Sequence, residues 1–343
     1  MAKLLHEIEW SEPLLTPRPN ASPEADLTER LSPWLRKAVG SLADPDQVSH
    51  APLHLMGISY FVASQENACR YCYGMARAIM KIAGFKEKQI QDLENEASLA
   101  DGLTRQVVEF ARKLARSNPS PARRDQEALV AAGLSEEAAC EIAANVVKAC
   151  FANRVSTFLA LPPDEALERL PESLFGRIRG LFLGRKFRAR HVPPPAGFSN
   201  EGPCARTIAA AGRNPIAAWL RELTDGWFNS PLLPRRSRLL ILAVIARQLG
   251  SQLCEQEASD GLAREGLPAQ DTQALLATLS PASMTDLENR LVRWTRETVW
   301  YEPRAIQDST RLLLAEVGEQ RALEALGSAA LCNTLARLAL VLQ

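Results

Sequence analysis

The chain carries 343 residues, with 40 Lys plus Arg against 40 Asp plus Glu, and with 46% hydrophobic but only 6% aromatic side chains. Zero net charge provides no long-range pull toward nucleic acid or an anionic membrane, so no nucleic-acid partner is expected. The length allows two ordinary domains, and the abundance of Ala, Leu, Glu and Arg favours helices.

Residues 1–30 read as an N-terminal extension without the long apolar run of a signal peptide. No run of about 18 or more apolar residues occurs in the chain, which predicts no membrane span. The cysteines are Cys69, Cys72, Cys140, Cys150, Cys204, Cys254 and Cys332, an odd and mostly scattered set. That pattern is not a disulfide framework and points to a reducing compartment, the cytoplasm.

Residues 31–163 read as a first helical unit. A helix through "HLMGISYFVAS" is broken by "QEN", and Asn67 is the expected N-cap of the next helix, "ACRYCYGMARAIMKIA". Cys69 then takes the second helical position, where free N–H groups and the helix dipole favour a thiolate. Cys72 lies three residues on, on the same face. Such a pair can cycle with a disulfide, supply half a metal site, or be two inert buried thiols. Zinc needs two further ligands, and His6, His50, His54 and His191 offer no suitably spaced pair, so neither metal nor cofactor is expected. Gly84 is placed to end a helix, Val107 to Ala115 is amphipathic, and Ser135 is the expected N-cap of a long helix that stops before Pro162 and Pro163.

Residues 164–204 form a basic amphipathic linker, with Arg177, Arg179, Arg185, Lys186, Arg188 and Arg190 among Leu and Phe. It reads as a helix packed over its neighbours with solvated charges, or as a membrane-surface segment. Residues 205–343 then repeat the first unit. "YFVASQENACRYC" (60–72) lies over "LAVIARQLGSQLC" (242–254) at a shift of 182, and Gly84 over Gly266 at the same shift. "VVEFARKLARSNP" (107–119) lies over "LVRWTRETVWYEP" (291–303) at 184, and Asn153 over Asn333 at 180. Shared spacing in a shared order indicates a duplicated all-α protein whose halves pair as a pseudo-dimer. Self-association into a homo-oligomer is expected as well. Ser251 stands where the first half has Cys69, and Cys254 where it has Cys72, so this copy lacks the local dithiol and Cys254 reads as a buried structural thiol; Glu255 and Glu257 could line a small site but read first as surface helix charge.

The stretch "ISYFVASQENACRYCYGMARA", followed by "AGF", "EFARKLARSNP" and "AGLSEEAACEIAANVVKACFANRVSTFL", resembles the carboxymuconolactone decarboxylase-like superfamily, in particular its alkylhydroperoxidase D-like branch. The likeness covers about residues 35–165, and 215–343 resemble a degenerate second copy. It implies an all-helical fold, ring-like oligomers, and reduction of a peroxide or disulfide substrate through the Cys69/Cys72 pair. A dithiol or lipoyl-type reductant would recharge the pair. It also implies that Cys72 attacks and Cys69 resolves.

The family's histidine four residues after the second cysteine is Ala76 here, and its glutamate twelve residues before the first is Gly57. Glu66 is the local candidate for the base, with His54, Tyr71 and Tyr73 as candidates to line the pocket. The expected function is a peroxidase-like thiol–disulfide oxidoreductase. The alternatives are a non-catalytic assembly, binding or redox-sensing protein, and a decarboxylase-type enzyme for a small carboxylic acid or lactone.

Overall fold

The computed structural model describes residues 9–16, 18, 23–42, 50–82, 84–95, 102–116, 123–162, 201–212, 215–278 and 284–342. Most of the basic linker lies outside these residues. Sixteen helices and no strand occur among the described residues, so the chain is all-α. The first eight are α1 (Pro23–Arg30), α2 (Pro33–Gly40), α3 (Leu53–Glu66), α4 (Arg70–Ile82), α5 (Glu87–Asn95), α6 (Gly102–Ala115), α7 (Arg123–Ala131) and α8 (Glu136–Phe158). After the linker come α9 (Ala205–Ala210), α10 (Pro215–Asn229), α11 (Arg235–Leu249), α12 (Gln252–Arg264), α13 (Ala269–Thr278), α14 (Asp286–Thr298), α15 (Pro303–Val317) and α16 (Glu319–Leu342).

Local chemistry sets several boundaries where the sequence places them. Gly84 (φ 98°) and Gly266 (φ 85°) adopt the left-handed conformation. The amide of the apolar residue after each reaches back: Phe85 N–H to Met80 O at 3.0 Å, and Leu267 N–H to Leu262 O at 2.9 Å. Ser135 Oγ accepts the Ala138 N–H at 3.1 Å and caps α8. The sequence reading passed over a full capping box at α14, formed by Thr285 and Glu288.

The centre is built by α8 and α16, which pack on each other and are buried nearly all round. Around them, α3 packs on α4, α6 and α8, while α11 packs on α12, α14 and α16. By length and composition α16 could cross a bilayer, which the sequence reading had not expected. Yet 89% of its apolar window is buried inside the fold, as in a core helix.

Two arginines lock the centre. Arg154 on α8 donates to Thr298 O and Val299 O, both at 2.6 Å, at the end of α14. Arg337 on α16 donates to Leu114 O at 2.7 Å and Arg116 O at 2.6 Å, at the end of α6. Each guanidinium therefore meets the negative end of a helix dipole from the other half of the chain. Both are buried, at 2% and 1% exposure, and neither has a carboxylate partner among the described residues.

Arg154 and Arg337 are 183 residues apart, as are the starts of α8 at 136 and α16 at 319.

Candidate functional site

The cysteine pair is placed by a tight junction between α3 and α4. α3 runs through Gln65 and Glu66, so "QEN" does not break it. Asn67 is its C-cap and is not the N-cap of the next helix. Ala68 follows in the left-handed region (φ 48°), and the amides of Ala68 and Cys69 return to Gln65 O (3.0 Å) and Ser64 O (3.2 Å). This is the two-bond helix stop that usually carries glycine. The turn between α11 and α12 carries glycine, Gly250 (φ 74°). A left-handed alanine costs about 1–2 kcal/mol, which is strain stored beside the thiols.

The junction makes Cys69 itself the N-cap residue of α4. Its carbonyl accepts the Tyr73 N–H at 2.9 Å, and its Sγ accepts the Cys72 N–H at 3.3 Å. Cys69 Sγ therefore lies at the positive end of α4, in direct contact with an amide donor. Cys72, one turn inside, donates its S–H to Ser156 Oγ of α8 at 3.4 Å. Burial raises the Cys72 thiol well above its ordinary value, and the adjacent Cys69 sulfur raises it further; the Ser156 hydroxyl works the other way. Both thiols are free and buried.

The thiols and Ala152 of α8 form a small apolar cluster apart from the main core, with Trp10, Leu42, Tyr60 and Tyr71 packed around it. Tyr60 is half-buried beside the sulfurs, and desolvation lifts its phenol well above the usual range, with Cys72 and Cys69 adding to the shift. Tyr301 reaches the same region from the second half. Its hydroxyl lies 2.7 Å from Thr157 Oγ1, and its ring lies under the Arg154 guanidinium at 5.1 Å. Burial raises Tyr301 as well, and Cys69 is the next contributor.

A strap from the N-terminal extension closes the cluster. Trp10 Nε1 donates to Leu161 O (3.1 Å), Ser11 N–H to Gln307 Oε1 (2.9 Å), and Leu14 N–H to Leu159 O (3.1 Å). Residues 9–16 thus bridge the end of α8 and α15 over the thiols.

The candidates named from sequence do not all converge. Tyr71 packs on the pair. Glu66 turns to α6, where Arg112 Nε lies at 3.2 Å and Arg116 Nε at 3.8 Å, so its carboxylate serves as an ion-pair partner. His54 is exposed at the far end of α3, 12 residues before Glu66 and so about 18 Å along the axis. Tyr73 stacks on Phe61 (5.0 Å between centroids) and bonds Glu94, away from the sulfurs; burial and then Glu94 raise its phenol. Ala76 is buried in the main core, and a Cβ at Gly57 would meet only Met80, at 4.0 Å. Ser156, Tyr60, Trp10 and Tyr301 were missed by sequence reasoning. Only Ser156, on the helix the sequence capped correctly, carried any signal.

No family model, curated protein or solved structure matches this chain. The functional argument therefore rests on the site's own chemistry. Among the described residues no group of three or more His, Cys, Asp or Glu is placed to hold a metal ion. What the site presents is two free thiols one helical turn apart. One sulfur accepts an amide N–H, the other donates to a hydroxyl, and aromatic rings surround both.

Proposed function

We propose that this chain is a thiol–disulfide oxidoreductase that reduces peroxides with Cys69 and Cys72. The observation that carries the reading is the pair's geometry, with Cys69 Sγ at the N-cap of α4 and Cys72 bonded to Ser156. Attack of one sulfur on the peroxide breaks the O–O bond, releases the alcohol or water and leaves a sulfenic acid. The second thiol then displaces water and closes the disulfide, and an external dithiol restores both thiols.

The resemblance assigns the attack to Cys72. The geometry favours Cys69, because its sulfur lies at the start of α4 and already accepts an amide N–H. Trapping of sulfenic acid with dimedone tests both points. Cys72→Ser should accumulate adduct on Cys69, whereas Cys69→Ser should accumulate none. Adduct only in Cys69→Ser would reverse the roles, and adduct in neither, with both thiols surviving peroxide in the parent, would remove the function.

The same reading holds that the chain is a duplicated alkylhydroperoxidase D-like protein whose halves pair about α8 and α16. The spacing supports it: α3 starts at 53 and α11 at 235, α4 at 70 and α12 at 252, each 182 apart. The reciprocal arginine contacts also support it. Further association of whole chains and a cytoplasmic setting belong to the proposal, the latter supported by seven free cysteines. Burial of both thiols under the strap favours a second reading, a redox sensor that reacts only when residues 9–16 lift. A disulfide that forms with peroxide but is not turned over by any added dithiol would select it.

A further inference from the structure

The second half holds a group of thiols that the Cys69/Cys72 chemistry does not use. Cys254 occupies the third position of α12 and is completely buried. Its Sγ lies 3.4 Å from Thr207 Oγ1. Thr207 donates its own hydroxyl proton to Glu257 Oε2 at 2.6 Å, so its oxygen faces Cys254 as an acceptor. The result is one directed chain from the Cys254 S–H through the Thr207 O–H to the Glu257 carboxylate. Glu257 is not the surface charge expected from sequence: its side chain is 7% exposed, and it also accepts the Arg206 N–H at 2.7 Å.

Two further thiols border this chain. Cys204 lies three residues before Thr207, with its backbone held in the left-handed region at φ 56°. Cys332 comes from α16, which packs on both α9 and α12. Burial pushes Cys254 up to about 11, with Thr207 and Ser251 working the other way; burial also pushes Cys204 and Cys332 well above their ordinary value, with Glu257 and then Cys254 adding to the first and Cys254 to the second. Thiols so protonated react only if something takes the proton during attack, and a hydrogen-bonded carboxylate one hydroxyl away is placed to do that.

We propose that Cys254 is a second peroxide-reactive thiol, with Thr207 and Glu257 carrying its proton and Cys204 closing the disulfide. Cys254 sulfur attacks the terminal peroxide oxygen as its proton moves through Thr207 to Glu257. The O–O bond breaks, the leaving oxygen takes up a proton, and Cys254 becomes a sulfenic acid. Cys204 sulfur then attacks Cys254 sulfur, water leaves, and the S–S bond forms. One peroxide and two thiols give one alcohol or water, one further water and one disulfide.

The test uses the full chain carrying Cys69→Ser and Cys72→Ser, so that failure here leaves the Cys69/Cys72 chemistry untouched. Of seven cysteines five remain. Hydrogen peroxide should consume two of the five, recovered by peptide mass spectrometry as a Cys204–Cys254 link that dithiothreitol reverses. Thr207→Val and Glu257→Gln should each slow this loss by roughly tenfold or more, and Thr207→Ser should restore it. Circular dichroism identifies any variant that has lost its helices. For such a case Cys204→Ala supplies an independent readout, a dimedone adduct on Cys254. Five intact thiols, a link from Cys254 to Cys332 instead, or an unchanged rate in a folded Thr207→Val protein would each overturn the proposal.

Discussion

Replacing Arg337 with methionine removes a buried cation of matched length from the centre of the fold. The side chain makes three short charged hydrogen bonds: to Leu114 O at 2.7 Å, to Arg116 O at 2.6 Å and, through Nε, to Asn333 Oδ1 at 2.6 Å. At about 1.5–3 kcal/mol each, the gross loss is roughly 5–9 kcal/mol. The variant also escapes the desolvation of a buried guanidinium, which is several kcal/mol, so a net destabilisation of about 3–5 kcal/mol is expected. Burial and its neighbour Arg337 both disfavour the charged form of Arg154. Arg154→Met and Arg337→Met together should therefore lose more than their sum, by about 0.5–3 kcal/mol, because each single variant already relieves the repulsion that the double variant can relieve only once. Urea unfolding at pH 7, followed by circular dichroism on the parent, both single variants and the double variant, measures all of these quantities. A loss below about 1 kcal/mol for Arg337→Met would show that the interlock does not hold the two halves, and strict additivity in the cycle would show that the two guanidinium charges do not act on each other.

Trp10→Ala should open the strap over the thiols; a local loss of about 1.4 kcal/mol raises iodoacetamide labelling of Cys69 and Cys72 about tenfold. Unchanged labelling would mean that access lies elsewhere. Ala68→Gly relieves the left-handed alanine at φ 48° and should raise stability by about 0.5–1 kcal/mol after the added freedom of the unfolded chain is counted, read as a higher Tm. A lower Tm would remove the claim of strain. Cys254 has its folded pKa raised from 9.0 to about 11, so its stabilising share is full below pH 9 and lost as pH rises through about 11. Two units at ~1.36 kcal/mol amount to about 3 kcal/mol in full, of which about 2 kcal/mol falls between pH 8 and pH 11, where the folded thiol becomes half ionised, and Cys254→Ser should lose that much less stability than the parent over this range in urea titrations. Equal losses would contradict the shift.

What the sequence disclosed was what neighbours along the chain decide. Gly84, Gly266 and Ser135 end or begin helices through bonds made within a few residues, and the all-α class follows from composition and spacing. Contacts between distant segments were not legible. Asn67 is a good N-cap by type, but the left-handed turn at Ala68 moves the helix start and gives that place to Cys69. Glu66 precedes the pair by three residues and yet faces Arg112, because a helix carries such a neighbour around its axis. Glu257 looked like surface charge until Arg206 and Thr207 arrived from about fifty positions earlier. Tyr301 and Trp10 approach the thiols from opposite ends of the chain, and no local pattern marks either.

The arginine interlock also sets a timetable for synthesis. The carbonyl of Arg116 lies 221 residues ahead of the side chain that will bond it. At ~5–20 residues per second, roughly 10–45 s pass between translation of the end of α6 and the arrival of Arg337. Throughout that interval the side of α8 that will meet α16 stands bare, and the first half has an apolar face with no cover. That bare face stays open to aggregation until the twenty-four residues of α16 are made.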